Sequence, residues 1–281
     1  MQALPAAGVE TVPLRMERYD PWRFDRRVIW DQVLLPLDAL RSGARLLHCT
    51  SGSVPLLSTL PIVVTVHDVA WLRGVQAHAP AYARWYFGTF ISRWWRSARF
   101  VIVDSRFTRD ELLTYVPLDQ TRVAVVHPGV DDIFAHGPRR VTSTPTVLCV
   151  GTVERRKNAA IVIEALAQLP GVRLVCAGPP TPYQAECQAL AQRLGLANRV
   201  DFLGYIDRAR LLELYATSAL AVAPSRYEGF GYAAAQALCA GIPLVAARTS
   251  SLVEVVQNDA PLLAPDDINA WSQAMRAILA A

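Results

Sequence analysis

Short apolar runs alternate with longer amphipathic segments along the whole chain. In the first half the runs are ETVPL (10–14), RLLHC (45–49), PIVVTVH (61–67), FVIVDS (100–105) and RVAVVH (122–127). In the second half they are TVLCV (146–150), VRLVCA (172–177), RVDFL (199–203), ALAVAPS (219–225) and IPLVAA (242–247). Several are β-branched and apolar at nearly every position, which is the mark of parallel strands covered on both faces. The segments between them are long enough for crossover helices. Both halves therefore read as α/β, doubly wound parallel sheets. The stretch AHGPRRVTSTPT (135–146) lacks apolar periodicity and is rich in Gly, Pro, Ser and Thr. It predicts a linker between a domain 1–138 and a domain 139–281. Two such domains imply a cleft, with ligands outside the carboxyl ends of the strands.

Composition narrows the class. The chain has 281 residues, 52% hydrophobic and 19% charged, which suits large cores and excludes a mostly disordered chain. No apolar run reaches the ~18–20 residues of a membrane span, and MQALPAAGVE has no signal-peptide pattern. The five cysteines are scattered without zinc spacing and read as reduced core thiols. A cytoplasmic location is expected, with the inner face of the membrane as a further option. Residues 1–145 carry 17 arginines and 13 acids, whereas 146–281 balance at 11 of each. The basic first half suits an anionic partner or a membrane surface. It is too weak for nucleic acid, and no nucleic-acid motif is present.

Chemistry-bearing residues follow the strands. VGTVERRKN (150–158) places three cations between a strand and a helical pattern. Lys157 is the only lysine; the other 27 basic residues are arginine. A solvated loop would be satisfied by arginine alone. A compact ammonium differs from a planar guanidinium at a tight phosphate site, so Arg156 and Lys157 read as anion binders and Arg155 as surface. PSRYEGFGYAAAQALCAGIPLV (224–245) offers a glycine-bracketed loop opening a helix, a phosphate cradle with Glu228 beside it. Gly241 is placed to cap that helix in the left-handed conformation. His67 and Asp68 end a strand, as a polar terminus or as functional groups. HPGVDDIF (127–134) reads as a structural turn. The segment 81–99 interleaves aromatics with Arg84, Arg93, Arg96 and Arg99. It is read first as a helix covering the sheet, with its arginines snorkelling outward. Peripheral membrane association is the other reading.

The ordered set VVTVHD, VDSRFTRDEL, VVHPGVD, VGTVERRKNAAIVIEAL, VDFLGYIDRARLLELYATSALAVAPSRYEGFG and ALCAGIPLVAA resembles the family-4 retaining glycosyltransferases of GT-B fold. The resemblance runs from about residue 45 to residue 278. It implies two Rossmann-like domains facing a cleft, the second binding a nucleotide sugar. Arg156 and Lys157 match the family's basic pair at the diphosphate, and Glu228 matches the first Glu of its E-x7-E motif. With His67, which matches a first-domain histidine reaching toward the transferred sugar, these form the implied catalytic set. Gly151, Gly204, Tyr205, Gly229, Phe230 and Gly231 complete the implied donor site, with Gln236 where the family has its second Glu. Glutamine cannot act as a charged double acceptor for ribose hydroxyls. Relatives also begin with a further strand, glycine-rich loop and helix, so the first domain is expected to be shortened at its N-terminus.

The resemblance implies metal-independent transfer with retention and no cofactor beyond the donor substrate. The GT-x-E-x-RKN form is most similar to mannosyl- and related hexosyl-transferases of polysaccharide biosynthesis. GDP-mannose is the leading donor, followed by a UDP-hexose, with a glycan or lipid-linked acceptor. A non-catalytic or truncated relative that binds nucleotide sugar is the alternative, supported by Gln236. The EGFG pattern argues against an epimerase. A dinucleotide oxidoreductase lacks its early G-x-G-x-x-G.

Overall fold

The computed structural model describes residues 8–14, 24–75, 80–135, 140 and 143–280. The chain divides into two compact units, Met1–Val126 and His127–Ala281. The boundary expected at 138/139 and most of the centre of the expected linker lie outside the described residues. The units part before them because Phe134, in a short turn after the HPGVD segment, is buried in the second core.

Among its described residues the first unit holds four parallel strands, β1 (Leu47–Cys49), β2 (Ile62–Val66), β3 (Phe100–Val103) and β4 (Val123–Val125). Their order is sequential, β1-β2-β3-β4. Val64, Val66, Val101 and Val103 are buried, as the continuous apolar runs require. Residues 10–14 are not a strand: Pro13 has no N–H for a ladder, and the segment is exposed or half-buried. Helix α1 (Arg106–Tyr115) follows β3, and Ser105 Oγ caps it by accepting from Thr108 N at 3.0 Å. The aromatic–arginine segment is helical from Ala81 to Ser97, with a wide π turn at Tyr86–Ile91. Tyr86, Ile91 and Trp95 enter the first core, and Trp95 Nε1 donates to Gly52 O at 2.6 Å. Gly88 permits this packing, since a Cβ there would lie 2.9 Å from Trp71 O. The run thus covers the sheet as expected, while Trp85 and Trp94 stay on the surface.

The second unit holds β5 (Thr146–Val150), β6 (Arg173–Ala177), β7 (Val200–Gly204), β8 (Leu220–Ala223), β9 (Leu244–Ala247) and β10 (Leu262–Leu263). All pair in parallel, in the order β10-β9-β8-β5-β6-β7. The order reverses between β5 and β8, which makes their carboxyl ends a topological switch point. Helices α2 (Ala159–Leu166), α3 (Tyr183–Arg193), α4 (Arg208–Thr217), α5 (Tyr232–Cys239), α6 (Leu252–Val256) and α7 (Ile268–Leu279) are the crossovers and closing helix. Gly241 takes φ 63° after α5, as a left-handed stop requires. β10 has only two residues, too few to leave a periodic signal. Trp271 anchors α7 in the core and donates from Nε1 to Ala264 O at 2.9 Å. Four of the five free cysteines are buried, and Cys239 is half-buried. Among the described residues no helix is long and apolar enough to cross a membrane.

Candidate functional site

The switch point is built from two loops. The first leaves β5 through Gly151 and Glu154, makes a single 3-10 turn at Arg155–Lys157, and enters α2 through Asn158. Asn158 sits in the left-handed region (φ 57°), which asparagine tolerates better than most residues. Its Nδ2 donates to Pro224 O at 3.2 Å and Pro265 O at 2.9 Å, tying this loop to those after β8 and β10. Beside it, Gly178 follows β6. A Cβ on Gly178 would lie 2.1 Å from Gly151 O, so the two loops can approach this closely only with glycine there. Gly151 N donates to Ala177 O and Gly178 N to Gly204 O, each at 2.9 Å, linking the ends of β5, β6 and β7.

The second loop, Pro224–Gly231, leaves β8 and opens α5. Glu228 lies within it, 8% exposed. Its Oε1 accepts from Lys157 Nζ at 2.6 Å and from Ser225 Oγ at 2.6 Å, and its Oε2 from Arg156 NH1 at 3.3 Å. Burial pushes this carboxyl up. Lys157, Arg156 and the hydrogen bonds from Lys157 and Ser225 outweigh burial together and hold it below its ordinary value. Glu228 is therefore a carboxylate at neutral pH. Its backbone is fixed as well: its N–H donates to Ser250 Oγ at 2.9 Å, and Ser251 Oγ donates to its carbonyl at 2.9 Å.

The three cations have separate fates. Arg155 is exposed, paired with Glu186 at 2.6 Å and set 5.2 Å over the Tyr183 ring, a surface position as expected. Arg156 turns inward: NH2 reaches Glu154 Oε1 at 2.7 Å, and NH1 reaches Tyr227 O at 2.9 Å as well as Glu228. Lys157 lines a cavity of ≈ 10 Å³ at the switch point, with Gly151, Ser225, Glu228, Gly231 and Ala233. That is room for about one water molecule. With one of its three N–H donors on Glu228, Lys157 keeps two for a ligand.

The remaining expected residues are spread around this centre. Gly229 and Gly231 are buried and Phe230 half-buried. Gly231 takes φ 97° at the start of α5, where a Cβ would meet Leu252 Cδ2 at 2.7 Å. Phe230 lies between His127 and Tyr232, with ring centroids 6.0 and 5.5 Å away. The HPGVD turn is fastened to this unit through His127 Nε2 and Glu254 Oε1 at 2.6 Å, the Asp131–Arg208 ion pair, and Tyr232 OH donating to Gly129 O at 3.3 Å. Gly204 takes φ 68° at an irregularity of β7, leaving Tyr205 82% exposed. Gln236 lies further along α5, where its Oε1 accepts from the buried Tyr215 OH at 3.3 Å. It does not line the cavity. Among the described residues no group of three or more His, Cys, Asp or Glu is placed to hold a metal ion.

His67 lies in the first unit, just past the end of β2. Its Nδ1 donates to Asp104 Oδ2 at 2.7 Å and its Nε2 to Thr50 O at 2.8 Å. Both partners accept, so the doubly protonated ring satisfies both. The hydrogen bond to Asp104 raises the His67 pKa; burial opposes this, and the Asp104 charge and the Thr50 bond support it. A raised folded-state value stabilises the unit fully below the unfolded value of about 6.5 and is lost as pH rises through the folded value. Urea midpoints of wild type and His67→Gln should therefore converge as pH climbs above about 6.5. A constant difference across that range would refute the linkage.

Three contributors were not singled out in the sequence. Ser225 stands three residues before Glu228, and this S-x-x-E spacing was the available signal. Here the hydroxyl bonds the carboxylate rather than capping a helix. Glu154 neutralises Arg156 from two residues away, a contact that the intervening turn creates. Ser250 comes from the loop after β9 and carried no local signal; its φ of 46° is imposed by that loop.

Comparison with known proteins agrees with this architecture. The family profile Glycosyl transferases group 1 matches residues 131–281, and Glycosyltransferase Family 4 matches residues 5–133. D-inositol 3-phosphate glycosyltransferase of Mycolicibacterium smegmatis is 34% identical over 194 residues, covering 64% of this chain and 45% of that protein. The chain thus spans about half the length of the curated relatives it matches. Sucrose-phosphate synthase from Thermosynechococcus elongatus superposes with a TM-score of 0.74 at 23% identity, over 97% of this chain and 76% of that one. Anabaena HepE, solved with UDP and glucose, superposes with a TM-score of 0.61 at 25% identity, over 78% and 61%. Two parallel-sheet units, the neighbours' fold and the matched profiles together show that this chain belongs to the group 1 glycosyl transferases, in the family-4 line of the GT-B fold class.

Proposed function

We propose that the chain transfers a hexose from a nucleotide sugar to a hydroxyl of a glycan or lipid-linked acceptor, with retention and without a metal. The observation that carries this reading is the Lys157–Glu228 pair at the switch point of the second sheet. As the glycosidic bond breaks, negative charge develops on the leaving diphosphate. A fixed ammonium and the backbone at the start of α5 stabilise that charge without reorganising, the role a divalent ion would otherwise fill. The acceptor hydroxyl attacks from the face the phosphate leaves, and a departing phosphate oxygen takes its proton. Glu228, held as a carboxylate, accepts hydrogen bonds from donor-sugar hydroxyls. Arg156 acts alongside Lys157 by fixing Glu228 and the Tyr227 carbonyl. Tyr205 offers an exposed ring to the base; Gln236, whose Oε1 accepts from Tyr215 outside the cavity lining, has only its amide N–H groups to donate to the ribose.

Mannose from GDP-mannose remains the donor favoured by the GT-x-E-x-RKN pattern. The HepE complex with UDP and glucose supports a UDP-hexose as the competing donor. A thermal-shift series in EDTA with GDP-, UDP- and dTDP-sugars tests the reading. A ligand bound only by the folded state adds about 2.7 kcal/mol at a hundredfold excess over Kd, a rise of several degrees in Tm. The nucleotide giving the largest rise names the donor base. Absence of any rise across the series overturns the proposed function.

A further inference from the structure

The transfer chemistry uses the charged lining of the switch-point cavity but not its thiols. Cys149 and Cys176 are register partners on the neighbouring strands β5 and β6, each one residue before its strand ends. Both line the ≈ 10 Å³ cavity with Lys157, Ser225 and Glu228. Register partners present their side chains on the same face of a sheet. Here the Cys176 thiol donates a hydrogen bond to the Cys149 sulfur. Cys149 keeps 7% of its surface exposed and Cys176 only 1%. A small molecule entering the cavity therefore meets Cys149 first.

The thiols also differ in chemistry, because the thiolate and not the thiol is the nucleophile. Burial pushes the Cys49 thiol up to about 12 and the Cys187 thiol up to about 11. Cys176 rises well above its ordinary value through its hydrogen bond to Cys149 and through burial. Cys149 moves the other way. The bond from Cys176 lowers it, burial opposes this, the Lys157 charge supports it and the Glu228 charge opposes it. A nucleophilic sulfur thus stands beside a thiol that keeps its proton. The space next to it holds about one water-sized molecule.

We propose that Cys149 and Cys176 form a site of reversible oxidation by hydrogen peroxide at the floor of the switch-point cavity. The Cys149 sulfur attacks one peroxide oxygen and the O–O bond breaks. Cys149 becomes a sulfenic acid, and its thiol proton leaves with the other oxygen as water. The Cys176 sulfur then attacks Cys149, an S–S bond forms, the S–O bond breaks and a second water departs. Two thiols and one peroxide give one disulfide and two waters. Neighbouring strands lie about 4.8 Å apart, inside the ~4.4–6.8 Å Cα range of a disulfide. The bond also needs Cβ atoms only ~3.5–4.5 Å apart, so β5 and β6 must draw together. The resulting strain keeps the disulfide open to reduction by a thiol. One consequence rests on the donor reading: drawing Cys149 inward shifts the start of the Gly151–Lys157 loop and weakens nucleotide-sugar binding until a reductant restores it.

The test uses the full chain carrying Cys239→Ser, which removes the half-buried thiol as a competing target. Of the five free cysteines less that one, two of four should be lost to millimolar hydrogen peroxide, and dithiothreitol should return both. Peptide mass mapping, which needs no further variant, should find a single disulfide joining Cys149 to Cys176. With Cys176→Ala added, dimedone should label Cys149 and no other cysteine. With Cys149→Ser added instead, all remaining thiols should survive, and circular dichroism checks that this variant is folded. Full retention of thiols before Cys149 is replaced overturns the proposal. So does a disulfide or label on other cysteines, or a product at Cys149 that dithiothreitol does not reverse. Donor binding is scored separately, as the rise in Tm with GDP- and UDP-sugars before and after peroxide. A smaller rise in the oxidised chain is expected, and equal rises overturn the control of binding. No rise even in the reduced chain refutes the donor reading and not the thiol chemistry.

Discussion

Lys157→Ala is expected to cut transfer by about two to three orders of magnitude, the cost of removing one fixed donor from a developing oxyanion. The same substitution should lower stability, because Glu228 loses its closest cationic partner. Breaking a buried pair costs roughly 3–5 kcal/mol. Here the loss should fall below that range, since Arg156 and Ser225 still reach the carboxylate. The two effects separate when kcat is measured well below the variant's melting temperature and stability by urea titration. Lys157→Arg is the informative companion: it keeps the charge but must fit a planar fork against Gly151, whose Cβ position lies 3.4 Å from Lys157 Cε. The expected outcome is near-native stability with transfer still well below wild type. A Lys157→Ala enzyme turning over at the wild-type rate would remove the basis for placing the diphosphate here.

Gly178→Ala should be the most damaging single methyl in the second unit. The added carbon would lie 2.1 Å from Gly151 O, 2.4 Å from Gly151 C and 2.9 Å from Thr152 N. All three are backbone atoms, so no side chain can swing away. The ends of β5 and β6 must separate, straining the Gly151–Ala177 and Gly178–Gly204 hydrogen bonds together. Overpacking of this kind costs typically 1–3 kcal/mol, and rigid backbone on the receiving side puts this site at the upper end, about 3 kcal/mol. Gly171→Ala is the control. Gly171 also has positive φ, 78°, but nothing lies within 4 Å of its Cβ position, so only the backbone term of about 1–2 kcal/mol applies. Urea midpoints of both variants decide the matter. Equal losses would show that backbone conformation, not the close approach, requires glycine at 178.

Much of the second unit was legible locally. The runs TVLCV, VRLVCA, RVDFL and ALAVAPS each became a strand, because a parallel strand buried on both faces leaves no polar alternation to misread. ETVPL is no strand despite its β-branched residues, because Pro13 has no N–H to give a ladder. β10 was missed because two residues cannot carry a period. The lysine at 157 was visible as a compositional oddity, and so was the glycine-bracketed loop with Glu228. The partition among the three cations was not visible. It depends on a 3-10 turn that points Arg155 at Glu186, Arg156 at Glu154 and Tyr227, and Lys157 at Glu228.

Periodicity, glycine placement and charge type are local properties. By itself the sequence therefore determined the alternation of strand and helix, the two-part α/β organisation, and the loops on which the charged chemistry would sit. The strand order β10-β9-β8-β5-β6-β7 is a long-range pairing with no local signature. That pairing brought Cys149 and Val222 side by side, and with the strand ends beyond them Lys157 and Glu228 from loops 71 residues apart. Only the tertiary structure could decide that the lone lysine meets a buried carboxylate, since burial and opposed charge, not sequence distance, fix where the pair forms.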